Sequence, residues 1–120
     1  MAEKFTINDP DKPLKMLKGV DGRPIGMQEL MINLVSLKKD AVVTSHKHYE
    51  EQSTFIFKGE LLFELEGEKF TLGHGEGILI PANANHSARA TKKTLAFDCF
   101  APPRWDYLEK LESERKQEDK

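Results

Sequence analysis

Past residue 36 the chain is broken into short runs by glycines at 59, 67, 73, 75 and 77, and no interval between the breaks is long enough for a helix. That excludes an alternating α/β architecture, which needs a helix between successive strands. Before the first break, the stretch from Met27 alternates with period two: Leu30, Ile32 and Leu34 fall on one face, Met31, Asn33 and Val35 on the other. An apolar pattern of that period is a strand, here with both faces largely covered. Further strands are predicted at Ala41–His48, Thr54–Phe57, Leu61–Glu66, Lys69–Leu72, Ile78–Ile80, His86–Thr91 and Thr94–Phe100. Short strands with glycine turns make an all-β sandwich or barrel, with helices confined to the ends.

The ends differ from the body. Residues 1–25 hold Pro10, Pro13, Pro24, Gly19 and Gly22 and read as an arm laid over the body, without a regular element of its own. Residues 26–101 form the β-body. Residues 102–120 open on Pro102-Pro103 and continue with Trp105, Leu108 and Leu111 at helical spacing, so a short charged helix docks one apolar stripe and then frays. A chain of 120 residues has the size of a single domain.

Composition narrows the function. With 18 basic and 20 acidic residues there is no positive excess to hold a phosphate backbone, so a nucleic-acid partner is not expected. No run approaches the length of a membrane span or a leader's apolar core, which predicts a cytoplasmic protein without a membrane partner. No glycine-rich phosphate cradle opens a helix. Cys99 is the single cysteine, so any metal must be held by nitrogen and oxygen.

Those donors exist. His46 and His48 are separated by one residue in a predicted strand, whose pleat sends both imidazoles to the same face about 7 Å apart. A bend through Tyr49, Glu50 and Glu51 brings Gln52 back beside them, and His86 ends the loop Pro81–Asn85, from which it can return to the same face. Three imidazoles and an amide oxygen suit a divalent transition ion such as zinc, nickel, iron or manganese, and leave it close to its full charge. That favours Lewis-acid work. His74, between Gly73 and Gly75, reads as an exposed turn residue.

The run His46-Lys47-His48-Tyr49-Glu50-Glu51-Gln52, followed after six residues by Gly59, resembles the first motif of the cupin superfamily; Gly75 to His86 resembles the second. The resemblance spans roughly residues 41–90 and implies a double-stranded β-helix, or jelly-roll, barrel with one metal ion. The commoner pattern has glutamate where this chain has Gln52; Glu51 should point the other way. Asn83 in the second motif can adopt a left-handed turn.

The last strand and its exit, Thr94 to Leu108, resemble the small cupins of pectin and alginate degradation, which convert 4,5-unsaturated uronates to linear keto forms. The resemblance implies His46, His48, Gln52 and His86 as metal ligands, and Asp98, Phe100 and Arg104 as catalytic residues. Pleating is compatible: Ala96, Asp98 and Phe100 share one face, and the apolar Leu95, Phe97 and Cys99 share the other. Asp98 is then the acid–base group, or a partner of Arg104; Arg104 is a fork for a substrate carboxylate, or an ion pair with Asp106 or Glu109; Phe100 is a sugar platform or core. Cys99 packs away from the metal, and Tyr49 and Glu50 are ordinary surface residues or rim the pocket. The apolar outer face needs another layer, either the arm or a second subunit, and a homodimer is expected. Two other functions fit the same barrel: a noncatalytic small-molecule or carbohydrate-binding module, and an Fe(II)-dependent dioxygenase. All three take a small anionic or carbohydrate ligand.

Overall fold

The structure is a computed structural model that describes residues 2–6 and 13–118. Among the described residues ten strands run in chain order: β1 (Leu14–Leu17), β2 (Val20–Gly26), β3 (Met31–Leu37), β4 (Val42–His46), β5 (Glu51–Lys58), β6 (Leu61–Leu65), β7 (Glu68–Leu72), β8 (Gly77–Ile80), β9 (His86–Ala90) and β10 (Thr94–Ala101). One helix, α1 (Trp105–Glu118), follows. The strands form a six-stranded sheet in the order β1-β2-β3-β10-β5-β8 and a four-stranded sheet in the order β4-β9-β6-β7. Every pairing is antiparallel. This is the all-β jelly roll that the motif resemblance implies.

Alternation decides what lies between the sheets. From β3, the residues Met31, Asn33, Val35 and Leu37 are buried; β10 supplies Ala96 and Phe100, and β5 supplies Thr54 and Ile56. The four-stranded sheet answers with Leu61, Phe63, His86, Ala88 and Ala90. Ile32 and Leu34 point outward and remain half-buried, so the outer face of β3 is less covered than its pattern suggests.

The expectation of an irregular arm is corrected for residues 14–26. They form a hairpin, β1 and β2, that extends the six-stranded sheet, with β2 paired along its length to β3. The glycines and proline that read as punctuation have other causes. Gly19 turns the hairpin with φ +76°. A Cβ at Gly22 would stand 2.5 Å from Met16 Sδ and 2.9 Å from Asn33 Oδ1, so any larger residue here would force these side chains to shift. Pro24 sits opposite Asn33 inside β2. Residues 2–6 carry no regular element, and Phe5 lies over the outer face of the six-stranded sheet; residues 7–12, with Pro10, fall outside the described residues.

The helix differs in two respects. Trp105 is half-exposed; the docking stripe is instead Tyr107, Leu108 and Leu111, with Leu108 against Gly26 of β2. The helix also continues to Glu118 where fraying was expected, since glutamate, lysine, arginine and glutamine are good helix formers. No helix among the described residues is long and apolar enough to cross a membrane.

Candidate metal centre and adjoining cavity

The three histidines come from the four-stranded sheet and its exit. His46 ends β4 and pairs in register with His86, which begins β9; His48 lies two residues beyond β4. The loop before β9 is tied to this exit by Asn83, whose N–H donates to the His48 carbonyl at 2.8 Å, with Asn83 in the left-handed conformation at φ 63°. Ring centroids of His46 and His86 are 4.2 Å apart, of His48 and His86 4.9 Å, and of His46 and His48 5.5 Å. One nitrogen from each ring falls within 4.8 Å of the others, the spacing of a shared ion.

The proton positions follow from the backbone. Each Nδ1 faces a carbonyl at 2.9 Å: Thr44 for His46, Glu50 for His48, Ala84 for His86. A carbonyl only accepts, so the ring proton sits on Nδ1 and the Nε2 lone pair is left for another partner. His86 Nε2 is buried and has none. His48 Nε2 stands 2.9 Å from Gln52 Oε1, itself an acceptor. Whichever nitrogen of a neutral His48 holds the proton, one of its two contacts sets lone pair against lone pair. Double protonation is opposed by burial first and then by Arg104, which hold the His48 pKa below its ordinary value. Burial likewise pushes His86 down to about 4. A cation beside the three Nε2 atoms and Oε1 removes both the conflict and the orphaned nitrogen, so the donor set fits a divalent metal ion.

The opposite wall belongs to the six-stranded sheet. On β5 Gln52 and Thr54 face inward; Asp98 of β10 is in register with Thr54 on one side and Asn33 of β3 on the other. Gln52 Nε2 donates to Thr54 Oγ1 at 2.8 Å, and Thr54 Oγ1 donates to Asp98 Oδ1 at 2.7 Å. Burial raises the Asp98 pKa to about 6, against the hydrogen bonds from Thr54 and Gln52 and the charge of Arg104. Buried Asn33 donates to Met16 Sδ at 3.5 Å and leaves Oδ1 without a partner.

Phe100 is buried, edge-on to His48 with ring centroids 5.8 Å apart, and 5.6 Å beneath the Arg104 guanidinium carbon. Arg104 stacks on Tyr107 at 4.2 Å and donates from Nε and Nη2 to both Asp106 oxygens at 3.2 and 3.1 Å. Glu50 Oε1 lies 3.8 Å from Arg104 Nε and 3.6 Å from His48 Nδ1. Of the alternatives for Arg104, the ion pair with Asp106 is present. The direct pairing of Asp98 with Arg104 is not among the hydrogen bonds and ion pairs here, because Asp98 is turned to Thr54. Burial works against the charge of Arg104, yet Asp106, Tyr107 and Glu50 together hold its pKa above the ordinary value.

These groups line one cavity of about 340 Å³ between the sheets. His46, Gln52, His86, Asp98 and Arg104 edge it, and Val35, Leu61, Phe63 and Ala96 close its depth. The volume suits a small ligand. Of the seven residues proposed from the sequence as ligands or catalytic groups, His46, Gln52, His86, Asp98, Phe100 and Arg104 line this cavity, and His48 stands behind it against Gln52 and Phe100. Outside it stand His74, exposed with Nδ1 on the Phe57 carbonyl, and Tyr49, 70% exposed. Cys99 faces outward as expected but is half-buried, not buried. Thr54, Asn33 and Tyr107 were not singled out, and Glu50 is more deeply engaged than a rim residue. Thr54 had a signal: it stands two residues beyond Gln52 on the same strand.

A β-barrel with three histidines converging inside it defines a class, the metal-binding jelly rolls. The model described as "Cupin domain" matches residues 33–100, and the chain belongs to the cupin family. Among solved structures, KdgF from Halomonas sp. is 30% identical, with 88% of this chain and 98% of that one covered at a TM-score of 0.81. An RmlC-like cupin from Shewanella frigidimarina is 23% identical over 88% of this chain and 96% of that one, again at 0.81. A salicylate 1,2-dioxygenase from Pseudaminobacter salicylatoxidans is 16% identical over 73% of this chain and 28% of that one, at 0.69; these last two show the fold alone. No curated protein matches the chain. The chain is thus a small cupin that resembles the uronate-processing proteins of pectin and alginate degradation.

Proposed function

We propose that this protein is a cytoplasmic metal-dependent enzyme that opens a 4,5-unsaturated uronate to the linear keto sugar acid. The observation that carries the reading is the position of Asp98. It lines the same cavity as His46, His86 and Arg104, and one hydroxyl, that of Thr54, joins it to Gln52. The resemblance of the last strand and its exit to the uronate-processing cupins supports the choice of substrate.

The reaction is an isomerisation. A proton leaves the anomeric hydroxyl, the bond from C1 to the ring oxygen breaks, and a proton joins C4 as the resulting enol becomes a ketone, so no oxidant or second substrate is consumed. A divalent transition ion held by His46, His48, His86 and Gln52 supplies Lewis-acid stabilisation of the negative charge that develops on oxygen. Asp98 moves the proton. Arg104 holds the substrate carboxylate by charge-assisted hydrogen bonds, and Phe100 forms the flat wall that orients the ring.

The test is to supply unsaturated galacturonate or mannuronate and follow loss of the C4=C5 chromophore and appearance of the keto acid. Conversion that stops with chelator supports the reading. No conversion by metal-loaded protein, or conversion indifferent to chelator, overturns it; iron-dependent oxygen consumption would point to a dioxygenase, and binding without turnover to a binding module. Arg104→Gln is expected to raise KM about 10- to 100-fold with a smaller change in kcat, since a lost charge-assisted hydrogen bond is worth about 1.5–3 kcal/mol. An unchanged KM removes Arg104 from carboxylate binding.

The same reading includes a homodimer through the outer face of the six-stranded sheet. Ile25, Ile32, Leu34, Phe55, Phe57, Leu95 and Phe97 line a groove of about 390 Å³ there, with Phe55 and Phe57 43% and 61% exposed. Apart from Arg23 the lining is uncharged, and an exposed apolar patch of this kind is what the interface of a two-fold dimer would bury. Light scattering is expected to give twice the chain mass, and Phe57→Glu the mass of one chain; a monomeric unaltered protein overturns this part.

A further inference from the structure

The side-chain amide of Gln52 has one end that can hold a cation and one that cannot: the oxygen only accepts, and the NH2 only donates. Nothing in the amide itself decides which end faces the histidines. Its neighbours do. Thr54 lies two residues further along β5, on the same face. Its hydroxyl has a single proton, which it donates to Asp98 Oδ1 at 2.7 Å, so it can offer Gln52 only lone pairs. Those lone pairs accept the Gln52 NH2 at 2.8 Å and would repel the oxygen. With the NH2 held there, Oε1 is left 2.9 Å from His48 Nε2. Thr54 is 4% exposed, so solvent does not readily replace its hydroxyl.

We infer that Thr54 is a positioning residue of the metal centre: its hydroxyl, oriented by Asp98, keeps Gln52 turned with its carbonyl oxygen toward His46, His48 and His86. The inference rests on the reading of those residues as metal ligands. A carboxylate at position 52 would have two equivalent oxygens and need no such steering. A glutamine there needs a neighbour that reads its NH2.

The experiment is a Co(II) titration of the full chain against a competing chelator, with the visible ligand-field bands recorded, for Thr54→Val and Thr54→Ser in the unaltered and the Gln52→Glu backgrounds. Thr54→Val is expected to weaken Co(II) binding about 10- to 100-fold and to change the bands, and Thr54→Ser to behave like the unaltered protein. In the Gln52→Glu background Thr54→Val should change Co(II) affinity little. Equal losses in both backgrounds, or no loss in either, overturn the inference while leaving the metal centre standing. Failure of the unaltered protein to bind Co(II) overturns the metal reading and the inference together. A second measurement does not depend on a folded variant. In the Zn(II)-loaded unaltered protein the Gln52 side-chain NH2 should exchange slowly with solvent by NMR, and rapid exchange overturns the inference.

Discussion

Asp98→Asn is expected to slow opening of the unsaturated uronate by about 10²- to 10⁴-fold, the usual loss when a positioned acid–base group is removed. The substitution is nearly isosteric, and its carbonyl oxygen can still accept the hydroxyl of Thr54, the bond that Asp98 Oδ1 now receives at 2.7 Å. Gln52 and the three histidines should therefore keep their places, and metal content should stay at one ion per chain. The pair of measurements separates proton transfer from metal retention. A variant within tenfold of the unaltered rate, with its metal intact, would show that the proton travels by another route. Loss of metal along with rate would show that Asp98 acts on the site's assembly.

Removing the ion should have two effects. In chelator-treated protein, ring opening should cease. Its unfolding temperature should also fall, because an ion that binds the folded chain and not the unfolded one adds about 2.7 kcal/mol at 100 times its Kd. For a domain of this size that is a shift of roughly 10 °C. His86→Ala should abolish both effects. His86 is 4% exposed, its Nε2 has no partner, and its ring stacks on Phe63 with centroids 6.0 Å apart. Calorimetry with and without metal checks the stability change, and identical transitions would show that the ion does not bind the folded chain.

Most of the body was legible because it depends on local periodicity. Two-residue alternation marks β3 and β10 and assigns Asp98 and Phe100 to one face, while glycines with positive φ, such as Gly59 and Gly67, mark the turns. The convergence of His86 with His46 was not readable from spacing, since it depends on β4 and β9 meeting in register; the motif resemblance carried it. What alternation could not reveal is where a glycine or proline serves packing. Gly22 makes room for Met16 and Asn33, and so β2 looked like a broken arm. Thr54 could be placed on the face of Gln52, but its role, like that of Glu50, was hidden for a related reason. Each acts through a partner distant in the chain, Asp98 for Thr54 and Arg104 for Glu50, and no pattern within a single strand reports such a pairing.

The strand order carries a consequence for the timing of assembly. β10, the last strand synthesised, lies between β3 and β5, so the larger sheet has a gap at its middle until residues 94–101 have emerged. Contacts this distant in sequence make for slow folding. A nascent chain therefore carries its histidines well before it has a closed wall to face them. Asp98 arrives on the strand that fills the gap, so closing the barrel and delivering the carboxylate are a single event.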